Sequence, residues 1–170
     1  MNTERSRKRA AEYLATGNKL KRRKLKLERK FNHSIDKVFH QLCPTREYDW
    51  IQGWECDLLF TSTGFVEKDC IFSTSETNSV GPGLWIFTGY ELNEKVEIVR
   101  IIGDMMVLHL RIFLEENAEG SCTGNWDLTF TAIKEEGNSL IESLEVVEEK
   151  FVRAIDGLEF FLDKGELLVG

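Results

Sequence analysis

The segment from Ser139 to Leu168 constrains the fold most, because it predicts one long amphipathic helix at the end of the chain. It contains no proline, and its apolar residues recur every three or four positions, as one face of a helix requires. These residues are Leu140, Leu144, Val147, Phe151, Ile155, Leu158 and Leu162. At a rise of about 1.5 Å per residue, such a helix spans a whole sheet and needs a broad apolar surface beneath it.

The preceding part of the chain provides that surface as a series of alternating segments. Leu25, Leu27 and Phe31 alternate with charged residues, which predicts a half-buried first strand. Later segments of strand type are "WECDLLFT", "EKDCIFSTSE", "LWIFTGYEL", "VEIVRII", "MMVLHLRIFLEE" and "CTGNWDLTFTAIKEE". Short turns join them, for example at Gly64, so we expect an antiparallel sheet of about six or seven strands. "IDKVFHQL" and "TREYDWIQGWE" predict two short helical segments after the first strand, and the fold class is α+β.

Charge divides the chain unevenly. Residues 1–30 carry 12 Lys or Arg and three Glu, a net charge of +9, whereas the remaining residues carry 10 basic and 26 acidic side chains, a net charge of −16. We predict a basic N-terminal extension with a short helix over residues 1–23 and a single domain over 24–170. In one interpretation, the extension binds nucleic acid or another anionic surface. In the other, it is a solvated helix, and the edge strand that follows is protected from unwanted pairing by its lysines. The second interpretation is favoured, because an acidic body repels phosphates.

The four cysteines, Cys43, Cys56, Cys70 and Cys122, have no CxxC spacing. They are typical of buried free thiols in a reducing compartment, which predicts a cytoplasmic protein. No apolar run approaches the roughly 18 residues that a membrane span needs, and no hydrophobic core follows the N-terminal charges.

The order of these elements resembles the helix-grip fold of the START, birch-pollen-allergen and polyketide-cyclase superfamily, called SRPBCC. "FNHSIDKVFHQLCPTREYDW" is similar to the opening strand, helix and proline-containing turn of that family, and "GNWDLTFTAIKEEGN" is similar to its last strand. The resemblance covers roughly Leu25 to Leu168. It implies a curved sheet wrapped around the long helix, with an apolar ligand between them. It implies no shared catalytic motif, since members include cyclases, lipid carriers, oxygenase components and chaperone activators.

Aromatic residues dominate the segments that would line such a space, and they either fill a core or line an apolar pocket. The predicted ligand-binding residues are Tyr48, Trp50, Trp54, Phe72, Trp85, Phe87, Arg100, Trp126, Phe130 and Phe151. "TREYDWIQGWE" is interpreted as a lid with both tryptophans on its inner face and its charges, including Glu47, on its outer face. Only Tyr48 and Asp49 are expected as polar contacts at the rim.

Ionisable residues suited to catalysis are scarce, and we predict no catalytic residue, metal or cofactor. His109 and Arg111 alternate with an apolar face and are expected to point away from the core. Arg100 is left open. On the inner face it would orient a carboxylate or enolate, and on the outer face it would pair with acids.

The sequence therefore predicts a protein that binds a small hydrophobic ligand, such as a lipid, a polyketide or an aromatic compound. The first alternative is a polyketide cyclase or dehydratase-like enzyme, in which Arg100, Tyr48 or Asp49 holds and enolises a polyketone. That enzyme needs an ionisable residue with a displaced pKa inside the cavity. The second alternative is a protein-interaction module of the chaperone-activator type, which predicts no open cavity. The oligomeric state is left open.

Overall fold

A computed structural model describes residues 3–17 and 19–170, and for Glu119 the backbone alone. Its strands are β1 Arg22–Phe31, β2 Asp57–Phe60, β3 Ile71–Thr74, β4 Gly83–Glu91, β5 Lys95–Ile102, β6 Met106–Glu116 and β7 Cys122–Ala132. Its α-helices are α1 Glu4–Thr16, α2 Ile35–His40, α3 Asn138–Glu142 and α4 Leu144–Lys164. A 3-10 turn, Glu47–Asp49, follows α2.

The seven strands form one antiparallel sheet in the order β1-β7-β6-β5-β4-β3-β2. Consecutive hairpins join β2 to β7, and β1 adds to the sheet beside β7. The turn between β2 and β3 has Gly64 at a φ of 79°, as a tight turn favours. The predicted α+β architecture, with a sheet of seven strands and a C-terminal helix across it, is confirmed.

One face of the sheet is buried because side chains alternate along each strand. In β6 and β7 every second residue is buried, and Leu108 and Phe130 face each other across the pair. The opposite face carries the polar partners of these strands. There His109 Nε2 lies 2.6 Å from Glu97 Oε1, which agrees with the predicted outward direction of His109.

The predicted single helix over Ser139–Leu168 is wrong in extent. It is broken at Ser143, whose φ of −92° and ψ of 17° separate α3 from α4. The Ser143 hydroxyl donates to the backbone carbonyls of Ser139 and Leu140 over 3.2 and 3.3 Å. These bonds compete with the backbone hydrogen bonds of the helix and favour a bend. Helix α4 ends at Lys164, where Gly165 adopts the left-handed conformation at a φ of 71°.

Helix α4 lies on the buried face of the sheet through Leu144, Phe151, Ile155 and Leu158, as the spacing predicts. An ion pair ties it to β1, since Arg29 Nη2 lies 2.5 Å from Asp156 Oδ1 and Nη1 contacts Glu159. Helix α1 is different, because none of its residues is buried. The predicted extension over 1–23 includes Met1, Asn2 and Asn18, which lie outside the described residues.

Candidate functional site

An apolar cavity of about 70 Å³ lies between the buried face of the sheet, helix α4 and the segment after α2. We call it the inner cavity. It is lined by Leu42, Glu47, Trp50, Ile51, Trp54, Phe72, Val80, Trp85, Phe87, Ile98, Leu110, Ile112, Trp126, Phe151, Ala154, Ile155 and Leu158. Sixteen of these seventeen residues are apolar, and Glu47 is the one ionisable residue.

Four aromatic rings make one side of the inner cavity, where β3 and β4 meet the lid. Phe72 and Trp85 stack with centroids 5.4 Å apart and an interplanar angle of 10°. Trp54 lies 6.0 Å from Phe72 and 6.5 Å from Trp85 in tilted and edge-on geometry, and Phe87 lies 6.1 Å from Phe72. These are favourable ring geometries, so the wall is firmly packed.

The indole N–H groups of three cavity tryptophans are already used inside the protein. Trp50 Nε1 and Trp54 Nε1 donate to backbone carbonyls over 3.1 and 2.8 Å. Trp85 Nε1 donates to the hydroxyl of Thr74 over 2.9 Å. These three residues therefore offer a ligand their rings and no hydrogen-bond donor.

Glu47 begins the 3-10 turn, and its side chain lines the inner cavity. Within the described part of the chain, no hydrogen bond or ion pair reaches its carboxyl group. The residue is half-buried, and it borders the cavity. This burial raises the pKa of Glu47 to about 8, since an apolar surrounding disfavours the charged form. The interpretation of Glu47 as an outer-face charge is wrong.

Seven of the ten predicted ligand-binding residues come together around the inner cavity: Trp50, Trp54, Phe72, Trp85, Phe87, Trp126 and Phe151. The other three do not line it. Tyr48 is exposed, and its hydroxyl accepts from the Cys56 N–H over 2.9 Å and lies 3.2 Å from the Cys56 carbonyl. Phe130 is fully buried beneath a separate groove beside the sheet.

Arg100 lies on the inner face of the sheet with 3 % of its surface exposed, but it also lies outside the inner cavity. Its Nε and Nη2 donate to the Pro82 carbonyl over 3.1 and 2.6 Å, and Nη2 donates to the Val80 carbonyl over 3.0 Å. Its guanidinium stacks 4.5 Å above the ring of Trp85. Burial lowers the pKa of Arg100 to about 10, so it remains a cation at neutral pH.

The groove beside the sheet is open and has a volume of about 820 Å³. We call it the lateral groove. It runs along the ends of β4 and β5 to the α3–α4 break, where Leu140, Val147 and Lys150 line it. Val80 lines both the lateral groove and the inner cavity, so its side chain separates the two spaces.

Sequence reasoning missed Glu47 and Val80. A signal for Glu47 was present, because it precedes the cavity residue Trp50 by three positions and residues so spaced share one face of a helical turn. No comparable signal marks Val80, which lies in the loop between β3 and β4.

The described residues contain no group of three or more His, Cys, Asp or Glu side chains placed to hold a metal ion. Among residues 3–17 and 19–170, no helix is both long and apolar enough to cross a membrane.

No protein-family model matches the sequence, and no curated protein matches it. Solved structures are similar in fold. Protein SA2116 of Staphylococcus aureus has a TM-score of 0.66 at 10 % identity, over 86 % of this chain and 96 % of its own. Norcoclaurine synthase from Thalictrum flavum, solved with dopamine and hydroxybenzaldehyde, has a TM-score of 0.65 at 11 % identity, over 87 % and 90 %.

CalU16 from Micromonospora echinospora has a TM-score of 0.58 at 15 % identity, over 86 % of this chain and 83 % of its own. At these identities the likeness concerns the fold. Together with the curved seven-stranded sheet and helix α4, it confirms the predicted helix-grip fold.

Proposed function

We propose that this protein binds a small, largely apolar ligand in the inner cavity. The observation that carries the proposal is the lining itself, in which sixteen apolar residues enclose a space that the side chains leave unfilled. The seven predicted aromatic residues around it are assigned to the ligand. The presence of this cavity favours a ligand-binding role over a protein-interaction module.

The size of the inner cavity limits how the ligand enters. At about 70 Å³ it is smaller than the apolar cavity of about 150 Å³ that holds a benzene molecule. A ring therefore needs more room than the cavity provides. Val80 is the side chain whose displacement adds room, because the lateral groove lies on its other side. We infer that the ligand enters from the lateral groove past Val80.

Toluene is a suitable neutral probe, followed by NMR of the methyl groups that line the cavity. We expect binding to the wild-type protein and loss of binding in Ala154→Phe, since Ala154 lines the cavity and the added ring fills it. Val152→Phe adds the same ring at an exposed position of α4 and keeps binding. Val80→Ala binds toluene more tightly. Equal binding by wild type and Ala154→Phe, or none by either, would refute the proposal.

The raised pKa of Glu47 favours a second candidate function. In this candidate the protein is a cyclase-like enzyme in which Glu47 carries the proton. Its carboxylate would remove a proton from the carbon between two carbonyl groups, leaving an enolate, and return the proton at another position. A pKa of about 8 matches this task near neutral pH.

A small diketone tests that candidate. For 2,4-pentanedione in deuterated water, the enzyme predicts faster hydrogen–deuterium exchange at the central carbon, and Glu47→Gln abolishes the acceleration. Toluene binding by the same variant confirms that the cavity is intact. Equal exchange with and without protein excludes the enzyme and leaves the binding function standing.

We also infer a cytoplasmic site of action. The four cysteines are free thiols in the structure, which suits a reducing compartment. Microscopy of a fluorescent fusion tests this, and secretion of the fusion would contradict it.

A further inference from the structure

We propose that the inner cavity recognises ligands that carry one protonated amine on an apolar body, with Glu47 as the counter-ion. This inference rests on the proposed ligand-binding function and adds the chemical class of the ligand. It starts from the one polar side chain in the lining, which faces the cavity without a partner of its own.

The lining of the cavity provides no cation for a ligand anion. No Lys, Arg or His is among its lining residues. Two cations on the inner face of the sheet are already engaged, since Arg100 is bound to the carbonyls of Val80 and Pro82 and Arg29 pairs with Asp156 and Glu159. Three of the four cavity tryptophans have their N–H groups bonded to protein oxygens. A carboxylate or phosphate would therefore be buried among apolar side chains without a cation to pair with, which is strongly unfavourable.

The cavity suits a cation in two ways. Aromatic faces attract cations, and tryptophan does so best; Trp50, Trp54, Trp85 and Trp126 all line the cavity. The carboxylate of Glu47 adds a charge-assisted hydrogen bond, which is roughly twice as strong as a neutral one. A neutral carbonyl ligand would gain one ordinary hydrogen bond from the protonated acid. The net charge of −16 over residues 31–170 also attracts cations to the body of the protein.

The other ionisable groups near Glu47 do not line the cavity, so Glu47 is the group that titrates there. Those on the neighbouring elements are Arg46, Tyr48, Asp49, Cys56, Lys150 and Arg153. Arg46 stacks 5.1 Å above the ring of Phe65, and Tyr48 bonds to the backbone of Cys56. Lys150 and Arg153 line a small pocket on the other side of Ala154. Burial raises the pKa of the Cys56 thiol, and the charge of Glu47 raises it further, so it stays neutral.

The proton on Glu47 gives the affinity for an ammonium ligand a pH dependence of a definite direction. Below a pH of about 8 Glu47 holds a proton, and an ammonium ligand that pairs with its carboxylate must release that proton. Affinity for an ammonium ligand then rises about tenfold per pH unit up to that pKa and levels off above it. A ligand that accepts a hydrogen bond from the protonated acid shows the opposite trend, because its affinity falls when Glu47 ionises.

Three probes with the same ring and different charge test this: benzylamine, benzyl alcohol and benzoate, titrated by calorimetry between about pH 6 and about pH 8.5. We expect benzylamine affinity to rise about tenfold per pH unit up to about pH 8 and to exceed that of benzyl alcohol at least tenfold above it. Benzoate shows no binding. Glu47→Gln, which keeps the side-chain size, removes both the pH slope and the preference for benzylamine, whereas Val152→Phe, at an exposed position of α4, keeps both.

Two results overturn the inference while the proposed function stands. One is toluene binding with a benzylamine affinity that does not change with pH, and the other is tighter binding of benzyl alcohol than of benzylamine at every pH. Failure of all four compounds, toluene included, overturns both the inference and the proposed function.

Discussion

Arg100 Nη2 donates a hydrogen bond over 3.0 Å to the backbone carbonyl of Val80. A cation in the middle of an apolar sheet face thus holds the residue that separates the inner cavity from the lateral groove. A buried guanidinium is costly unless its N–H groups are bonded, and the loop between β3 and β4 provides the acceptors. The position of this loop and the burial of Arg100 therefore depend on each other.

We expect Arg100→Met to lower the free energy of unfolding by about 2 to 4 kcal/mol, because the loop carbonyls lose a charged donor. Urea denaturation measures the loss, and hydrogen exchange at residues 79–83 should accelerate. Arg111→Met is the matched control, since Arg111 Nη2 lies 3.6 Å from Asp127 Oδ2 on the exposed face. The control should cost less than about 1 kcal/mol. Equal losses in the two variants would show that the contacts of Arg100 with the loop do not contribute.

Gly83 provides a second way to disturb the same contact. A Cβ atom at this position would lie 2.8 Å from both Cγ and Nε of Arg100, so Gly83→Ala must displace the arginine. We expect a loss of about 1 to 3 kcal/mol in the wild-type background.

Gly83→Ala should lower the free energy of unfolding clearly less in the Arg100→Met background, because the flexible methionine moves away from the new methyl group. A double-mutant cycle measures this difference. A coupling energy near zero would contradict the proposed clash.

Gly157 allows helix α4 to approach the backbone of the lid. A Cβ atom there would lie 2.5 Å from the carbonyl oxygen of Trp50. We expect Gly157→Ala to destabilise the protein by about 1 to 3 kcal/mol, because the clash outweighs the gain in helix propensity. Thermal unfolding measures the effect, and tryptophan fluorescence should report a shifted Trp50. Val152→Ala on the exposed side of α4 should change stability by less than about 0.5 kcal/mol. A stabilised Gly157→Ala protein would contradict the close approach.

Glu47 should make stability depend on pH. Its pKa is about 8 in the folded protein against an ordinary value of 4.5, so the folded state binds more protons between these values. The free energy of unfolding therefore falls as pH rises through this window, by up to about 1.4 kcal/mol per pH unit. The loss is complete above the folded pKa.

Urea denaturation at several pH values, with Glu47→Gln as reference, isolates this contribution. The stability of the wild type minus that of the variant should decrease up to about pH 8 and then stay constant. A difference that is flat across the window, or that increases with pH, would show that the carboxyl group of Glu47 is solvated.

The alternation in β6 and β7 was sufficient to predict which residues face the helix. Leu108, Leu110 and Phe130 are buried as their spacing requires, because a strand admits only two directions for its side chains. The same reasoning placed His109 on the outer face. The break at Ser143 was missed, since the apolar spacing continues from Leu140 to Leu144 across it.

The site was predictable only in part. Trp50 and Trp54 were expected to face inward, and both line the inner cavity, although the segment is a 3-10 turn followed by a bend and not one helical face. Glu47 was placed outside because a negative charge suits the first turn of a helix and Arg46 beside it is a surface partner.

The sequence by itself determined the order of the elements, the buried face of the sheet and the apolar side of α4, because these follow from periodicity along a single segment. The tertiary structure alone decided how these surfaces meet. The inward position of Glu47, the contact of Arg100 with Val80 and the space left unfilled beneath α4 each depend on distant segments. Residues far apart in the chain become neighbours only when the sheet curves, and no pattern within a single segment predicts which of them will meet.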